Sequence, residues 1–285
     1  MFIVLGANGH VGSSVASRLK DAGHGVIGVT HSEAGAEKLR AQGYEAETVD
    51  VRDVEALRMV FQKGKRAFLL NPPGDIRGDS DRAEEATAQS IALALKDSGL
   101  EKVVVESTYG AKDGEAIGDL TTLYHFEKNV EAQGIPMALN RGAYYYTNFD
   151  MLLPAAQEGK LPTMLPADLK VPMVSPADLG VFAAQRLLSG LDDVGLGFAE
   201  GPERLSMSDV AAVFGDVLRK AVTLDVSPRE RWEADFKAQG FSAEAAYAYA
   251  RMTAATVDDG FVDIANVHRG STSLKAHLTQ LLKAG

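Results

Sequence analysis

The stretch that decides the fold is FIVLGANGHVGSSVASRLKDAG, residues 2–23. An apolar run of strand length leads into a turn that contains Gly6, Gly9 and Gly12, and a segment with helical spacing follows to about Ala22. In such a strand–turn–helix unit the first glycine allows the tight turn, the second lets the backbone approach a pyrophosphate, and the third allows helix and strand to pack closely. The helix N-terminus then offers free N–H donors to the anion. We therefore predict a dinucleotide-binding turn, with a purely structural turn as the alternative.

The alternation of strand and helix continues outward from this turn through the first half of the chain. Segments with helical spacing, several of them ending at a glycine suited to a helix C-terminus, separate short apolar runs typical of buried parallel strands. The predicted strands are residues 2–5, 25–30, 46–51, 67–70, 102–106 and 137–140. The repeated βαβ pattern predicts an α/β protein with a Rossmann-type, doubly wound parallel sheet.

The alternation of strand and helix ends after Asn148. A stretch with several prolines follows there and leads into mostly helical sequence. We predict an NAD(P)-binding Rossmann domain over residues 1–148 and a smaller, mostly helical substrate-binding or lid region over residues 149–285. Parts of the second region, about residues 175–200, are expected to pack back on the Rossmann domain.

Composition disfavours several classes of protein. The formal net charge of -10 argues against a nucleic-acid-binding surface, and the lack of cysteine removes disulfides, cysteine-ligated metals and thiol nucleophiles. The six histidines show no metal-ligand spacing, so no metal is expected. No apolar run approaches the ~20 residues of a membrane span, and the opening run lacks the basic flank of a signal peptide. We expect a cytoplasmic protein whose partner is a small-molecule substrate, not nucleic acid or a membrane; a homodimer is left open.

The end of the second predicted strand bears on which dinucleotide is bound. An acidic residue there would take the ribose hydroxyls of NAD, and a basic one would take the extra phosphate of NADP. The residues present are Thr30, His31 and Ser32, with Glu33 following. His31 and Ser32 are able to donate to a phosphate, or alternatively they only cap the next helix. We predict NADP(H) as the preferred cofactor, with NAD(H) as the alternative.

The other cofactor contacts are expected at the carboxyl ends of the strands, where ligands of this fold bind. For Pro72 and Pro73, a rigid turn without ligand contact is compatible with this position. The predicted cofactor-binding residues are Gly6, Asn8, Gly9, His10, Val11, Gly12, Thr30, His31, Ser32, Asp50, Val51, Asn71, Pro72, Pro73, Ser107, Thr108, Lys128 and Arg141.

Several motifs resemble the atypical short-chain dehydrogenase/reductases, and within them the NmrA-like group. The motifs are Gly6-x-x-Gly9-x-x-Gly12, Asn71-Pro72-Pro73-Gly74, Ser107-Thr108-Tyr109-Gly110-Ala111, Glu127-Lys128 and Asn140-Arg141-Gly142. The resemblance covers most of the chain. It implies kinship with NADPH-dependent quinone reductases, triphenylmethane-dye reductases and a redox-sensing transcriptional co-regulator. His31 stands where that group often has Arg, which keeps NAD(H) open.

A candidate catalytic pair lies on the helix between the fifth and sixth predicted strands. Tyr124 and Lys128 are four residues apart and share one helical face. In the wider dehydrogenase family such a pair does acid–base work: the ammonium lowers the phenol pKa, and the phenol protonates a carbonyl oxygen that a serine orients. We therefore name Tyr124, Lys128 and Ser107 as candidate catalytic residues, with Thr108 as the alternative hydroxyl. The structural alternative is a packing tyrosine and a solvated lysine.

Aromatic residues are the candidates for substrate binding. The run of three tyrosines after the sixth strand would offer a wall on which a flat acceptor stacks, if core packing does not explain it. Trp232, one turn before Phe236 in the smaller region, is a candidate lid. The predicted substrate-binding residues are Tyr109, His125, Tyr144, Tyr146 and Trp232.

These observations favour an NAD(P)H-dependent oxidoreductase that transfers hydride to a small conjugated acceptor, such as a quinone, a dye or a carbonyl compound. The alternative from another class is a non-catalytic, NAD(P)-sensing regulatory protein of the NmrA type. A sugar-nucleotide epimerase is a third reading on the same fold, since a fold does not fix a function.

Overall fold

A central sheet of eight parallel strands organises the protein, which a computed structural model describes over residues 1–284. The strands along the chain are β1 (Phe2–Leu5), β2 (Val26–Thr30), β3 (Glu45–Thr48), β4 (Arg66–Leu69), β5 (Lys102–Thr108), β6 (Met137–Gly142), β7 (Tyr144–Tyr145), β8 (Lys160–Thr163), β9 (Val171–Val174), β10 (Gly195–Glu200), β11 (Arg204–Leu205), β12 (Thr223–Val226) and β13 (His268–Arg269). The order in the central sheet is β13-β10-β6-β5-β4-β1-β2-β3. The order reverses between β1 and β4, which is the switch point where such sheets bind ligands. The predicted α/β, Rossmann-type fold is confirmed.

Helices cover both faces of this sheet, and further helices pack in the smaller region. They are α1 (His10–Asp21), α2 (Glu33–Ala41), α3 (Val54–Phe61), α4 (Ser80–Leu95), α5 (Asp119–Glu131), α6 (Leu153–Gln157), α7 (Pro176–Leu188), α8 (Met207–Leu218), α9 (Trp232–Ala238), α10 (Ala243–Asp259) and α11 (Leu274–Ala284). The apolar sides of α3, α4 and α5 pack on one face, and those of α1, α2 and α7 pack on the other. Because the inner strands of the sheet are buried on both faces, they contain continuous apolar runs such as Val103–Val105.

Strand ends differ from the predicted ones where the candidate site lies. β3 ends at Thr48 rather than at residue 51, because the chain turns there: the Asp53 N–H donates to the Asp50 carbonyl at 2.8 Å, and Asp53 then caps α3. β5 and β6 run two residues further than predicted, and their paired register places Ser107 opposite Arg141. Both residues therefore stand at the carboxyl edge of the sheet.

The region after residue 148 contains the helices α6 to α11 and several short strands. Two small sheets stand beside its helices, one of β7, β9 and β11 and one of β8 and β12. α7 packs on α1, and both β10 and β13 join the central sheet. The division into 1–148 and 149–285 stays a prediction.

No helix in the described part of the chain combines the length and apolar character needed to span a membrane.

Candidate functional site

The glycine-rich turn forms a tight cradle between β1 and α1. Gly6 has φ +61°, and the Gly9 N–H donates to the Gly6 carbonyl at 2.8 Å. A Cβ on Gly12 would lie 2.3 Å from that carbonyl oxygen, so only glycine allows this approach of helix and strand. Gly9 is the N-cap of α1 and provides no side-chain cap. The N-terminus of α1 therefore suits the pyrophosphate of a dinucleotide.

Next to the cradle, the end of β2 presents an exposed histidine. The Ser32 hydroxyl accepts from the Gly35 N–H at 3.2 Å and so caps α2, while the His31 side chain is exposed. The nearest carboxylate, Glu33, accepts hydrogen bonds from Arg40 at 2.5 Å and from Thr48 at 2.8 Å. The hydrogen bond from Arg40 lowers the pKa of Glu33. Glu33 is therefore a carboxylate beside the end of β2 that already has its hydrogen-bond partners.

Other predicted cofactor residues lie along the same edge. Asn8 Nδ2 donates to the Gly35 carbonyl at 3.0 Å, and Thr30 is buried beside it. Asp50 is exposed and paired with Arg52 at the turn after β3. His10 is exposed and Val11 is buried in the first turn of α1, and Val51 is partly buried in the turn after β3.

The loop after β4 holds an unpartnered polar atom. Asn71 Nδ2 donates to the Glu84 carbonyl at 3.1 Å, whereas its Oδ1 is buried without a hydrogen-bond partner. Pro72 and Pro73 follow, and the Gly74 N–H donates to Glu84 Oε1 at 2.8 Å. An amide oxygen left this way can accept a hydrogen bond from a ligand, so the loop fits the dinucleotide as the cradle does.

A buried carboxylate joins the ends of β5 and β6. The Ser107 hydroxyl donates to Glu127 Oε1 at 2.5 Å. Arg141 donates to both oxygens of Glu127, from Nε at 2.9 Å and from Nη2 at 2.7 Å. Sequence reasoning noted Glu127 only as part of a motif, because nothing in the pattern showed which residue of α5 faces β5. The structure thus brings Ser107 and Arg141 together through a residue that was not predicted.

The predicted arrangement of Ser107, Tyr124 and Lys128 is not assembled. Lys128 is exposed, and its ammonium pairs with Glu131 at 2.8 Å, which raises the lysine pKa. The ammonium also lies 5.8 Å from the Tyr124 ring centroid, so the two residues do share a face. Successive helical residues are rotated by about 100°, and Glu127 rather than Lys128 occupies the side towards Ser107. The structure does not bring Lys128 to the predicted catalytic or cofactor position.

Two acids stand together where α4 and α5 begin. Glu84 is buried and also accepts from the Thr122 hydroxyl at 2.7 Å. Burial, followed by the nearby charge of Asp119, raises the pKa of Glu84 to about 7. Burial likewise raises the pKa of Asp119 to about 6. Both carboxyl groups therefore hold a proton to a higher pH than free carboxylic acids do.

The predicted substrate residues lie in different surroundings. Tyr109 is buried, and its hydroxyl donates to Glu200 at 2.9 Å. His125 contacts Glu85 at 2.6 Å and Asp113 at 3.5 Å. These acidic partners hold the imidazole beside α4 rather than against Ser107.

The tyrosine run does not form the expected wall. β7 holds only Tyr144 and Tyr145, and a 3₁₀ helix begins at Tyr146, so the alternation of sides stops there. Tyr144 is partly exposed, whereas Tyr146 is fully buried in the core of the smaller region, where burial raises its pKa to about 12. The predicted lid residue Trp232 is buried too, with its Nε1–H donating to the Ser227 carbonyl at 3.0 Å.

The helix that lies across the loops is α10, which sequence reasoning did not single out. At its N-terminal end the Ser242 N–H and hydroxyl donate, each at 2.8 Å, to carbonyls of Ile76 and Gly78 in the loop after β4. Further along, Arg251 donates to the Glu115 carbonyl at 3.0 Å in the loop after β5. α10 thus bridges the two loops at the carboxyl edge of the sheet.

A cavity of about 210 Å³ lies at the C-terminal end of α10. Its lining comes from the ends of β5, β6 and β10, from α5, and from the end of α10 with the segment that follows it. The lining residues are Tyr109, Gly110, Leu120, Arg141, Phe198, Thr256, Asp259, Gly260, Phe261, Val262 and Ile264. Arg141 connects this cavity to the Ser107–Glu127 cluster.

The eight-stranded parallel sheet and the glycine cradle at its first βα turn define a Rossmann-like α/β protein. The profile of the NmrA-like family matches residues 1–262, so the chain belongs to this family and the resemblance found in the sequence is confirmed. A comparison with curated proteins finds no matching sequence.

Solved structures share the fold at low sequence identity. An NADPH-dependent quinone oxidoreductase from Escherichia coli, solved with NADPH, is 22% identical with a TM-score of 0.81, over 99% of this chain and 100% of that one. The triphenylmethane reductase of a Citrobacter species is 18% identical with a TM-score of 0.82, over 99% of each chain. A mutant NmrA is 20% identical with a TM-score of 0.68, over 84% of this chain and 81% of that one.

Proposed function

We propose that the protein is an NADP(H)-dependent reductase that passes hydride to a small conjugated acceptor of the quinone type. The observation that carries this proposal is that an uncapped glycine cradle and a cavity with aromatic walls occupy the same edge of the sheet. The similar structures from E. coli and Citrobacter, solved with NADPH and NADP(H), support it.

The choice of NADP(H) over NAD(H) is supported by the end of β2. Glu33, the carboxylate close to the predicted ribose position, is held by Arg40 and Thr48. His31 is exposed there and is able to donate to the extra phosphate of NADP. NAD(H) remains the weaker cofactor in this proposal.

In the proposed reaction the bound nicotinamide supplies hydride, and the chain positions the reactants. The cradle would hold the pyrophosphate, and Asn71 Oδ1, which has no hydrogen-bond partner in the protein, would accept one from the bound cofactor. The cluster of Ser107, Glu127 and Arg141 fixes the ends of β5 and β6 beside the acceptor. For a quinone, positioning supplies much of the catalysis and water supplies the proton.

The first experiment is to measure NADPH and NADH binding to the purified protein and then to follow the loss of reduced-nicotinamide absorbance with quinones, dyes, aldehydes and ketones. Turnover with a quinone supports the proposal. Tight cofactor binding without turnover across the panel would instead indicate a non-catalytic sensor. That second candidate is favoured by one observation, the separation of Lys128 from Ser107.

A substitution in the cradle tests the cofactor site directly. A Cβ on Gly9 would lie 3.2 Å from the Gly6 carbonyl, a tight contact that the turn can absorb, and it would occupy space needed by the pyrophosphate. Gly9→Ala should weaken NADPH binding by about tenfold or more with little change in melting temperature. Ser17→Ala, two turns along α1 on an exposed position, is the control. Unchanged NADPH affinity in Gly9→Ala would place the cofactor elsewhere.

A further inference from the structure

The cavity of about 210 Å³ beside Arg141 is built from facing aromatic and aliphatic side chains. The Tyr109 and Phe198 rings meet edge to face, with their centroids 5.0 Å apart. Leu120, Phe261 and Ile264 complete its apolar walls. Flat conjugated molecules pack well against walls of this kind.

A buried ion pair holds two of these walls in place. The Glu200 carboxylate, which has no exposed surface, accepts from the Tyr109 hydroxyl at 2.9 Å and from Arg204 at 2.7 Å. The same guanidinium donates to the Val262 carbonyl at 3.0 Å. Although burial opposes ionisation, the hydrogen bonds from Arg204 and Tyr109 lower the pKa of Glu200. The segment after α10 is therefore tied, through one charged cluster, to the strand end that carries Tyr109.

The charged groups of the cavity lining are already paired. Arg141 is held by both oxygens of Glu127, and Asp259 forms an ion pair with Lys112. A charged ligand would have to compete with these partners, whereas an uncharged one would not. The cavity is also smaller than the ~300–1,000 Å³ pockets that take drug-sized ligands.

The cavity lies beside the edge where hydride would arrive. Ser107, predicted to face the cofactor, pairs in register with Arg141, which lines the cavity. Phe198 forms the far wall of the cavity and lies on β10, which pairs with β6 in the sheet.

We propose that this cavity is the acceptor pocket and that it restricts the acceptor to a planar, uncharged molecule of one or two fused rings, such as a benzoquinone or a naphthoquinone. This inference rests on the proposed function. The quinone gains a hydride, with its electron pair, from the reduced nicotinamide, which is oxidised, and a proton from water, and so becomes the hydroquinone. Three-ring cationic dyes are excluded by size and charge.

Two matched threonines of α10 provide the test. Thr256 lines the cavity and Thr253 does not, yet each hydroxyl donates to the carbonyl four residues before it, at 2.9 Å and 2.8 Å. Thr256→Phe should raise the KM for a naphthoquinone by about tenfold or more, while the Kd for NADPH stays unchanged. Thr253→Phe should leave both constants near those of the unsubstituted protein. An unchanged KM in Thr256→Phe would overturn the pocket assignment.

A substitution that enlarges the cavity tests the proposed size limit. Phe261→Ala should raise kcat/KM for a triarylmethane dye relative to a naphthoquinone by about tenfold. Dye turnover as fast as quinone turnover in the unsubstituted protein would overturn the restriction. Melting temperatures check that each variant is folded.

A binding measurement separates this inference from the proposed function. If no acceptor is turned over, the proposed function fails, and calorimetry with a naphthoquinone then tests the pocket alone. Binding that is lost in Thr256→Phe and kept in Thr253→Phe supports a planar-ring site. Equal binding to both variants, or no binding to the unsubstituted protein, overturns it.

Discussion

At the scale of single residues, α5 shows that two adjacent positions on one helix can lie in opposite surroundings. Glu127 is almost fully buried against Ser107 and Arg141, whereas the adjacent Lys128 is exposed and paired with Glu131. Two ion pairs on one helix therefore have very different surroundings. Buried pairs are costly to break from one side, because the remaining charge stays desolvated, whereas exposed pairs contribute little.

We expect Glu127→Gln to lower the free energy of unfolding by about 3 kcal/mol, because it leaves the Arg141 guanidinium without its carboxylate. The matched control is Glu131→Gln, which removes an exposed partner of Lys128 and should cost less than about 1 kcal/mol. Urea unfolding of both variants measures the difference. Equal losses in the two variants would show that burial does not distinguish them.

The second prediction at the scale of single residues concerns the role of Tyr124 in the reaction. Because the Lys128 ammonium is exposed and already pairs with Glu131, we do not expect it to activate the Tyr124 phenol. Tyr124→Phe should therefore keep kcat for quinone reduction within about twofold of the unsubstituted protein. A loss of a hundredfold or more, of the order expected for a general acid, would restore the tyrosine–lysine mechanism.

The sequence predicted residues that act together within one short segment. It did not predict residues whose position depends on how a helix is rotated against the sheet. Gly6, Gly9 and Gly12 follow one strand within a single turn, so their spacing, together with their place at the first strand–helix junction, predicted the cradle. The choice between Glu127 and Lys128 depends on how α5 is rotated against β5, and the sequence of one helix does not specify that rotation.

At the scale of elements, the long-range placement of α10 is the feature that local pattern could not predict. The first six strands of the sheet were found because short apolar or β-branched runs alternate there with stretches of helical spacing. β13 has only two residues and α10 packs across distant loops, so neither has a local signature of its position. Trp232 was predicted to be a lid because it is a large aromatic residue. Its side chain is instead buried and donates to the nearby Ser227 carbonyl.

The ion pair between Lys112 and Asp259 fixes the C-terminal end of α10 to the loop after β5. Lys112→Ala should therefore increase hydrogen exchange in residues 255–262, with a loss of global stability below about 1 kcal/mol because the pair is exposed. Lys237→Ala is the matched control, since Lys237 pairs with Glu233 within α9 and bridges nothing. Similar exchange in both variants would mean that other contacts hold α10.

At the scale of the whole molecule, the smaller region and the sheet share the site between them. The cradle and the Asn71 loop come from the first half of the chain, whereas Phe198, α10 and the segment after it come from the second. The sequence predicted the first set because phosphate binding has a motif. It did not predict the second, because a cavity wall requires only apolar side chains brought together by the fold.

The acid pair of Glu84 and Asp119 links this site to the stability of the whole molecule. Burial raises the pKa of Glu84 from 4.5 to about 7 and that of Asp119 from 3.8 to about 6. The folded state therefore binds protons more tightly than the unfolded chain does. The stability that this pair contributes is fully present below the unfolded values and is lost as the pH rises through the folded ones.

Glu84→Gln should reduce this loss, because an amide does not titrate and its oxygen still accepts from the Gly74 N–H. Between about pH 5 and 8 the free energy of unfolding of the unsubstituted protein should fall relative to that of Glu84→Gln by on the order of 2 kcal/mol. Urea unfolding across this range measures the difference, which cancels the titration of groups that do not interact with Glu84, whereas the titration of its neighbour Asp119 changes with the substitution. Glu115→Gln, at an exposed position, should give a curve parallel to that of the unsubstituted protein. If Glu84→Gln is parallel as well, the carboxyl is ionised at neutral pH, and solvent or a cation must reach it in the folded protein.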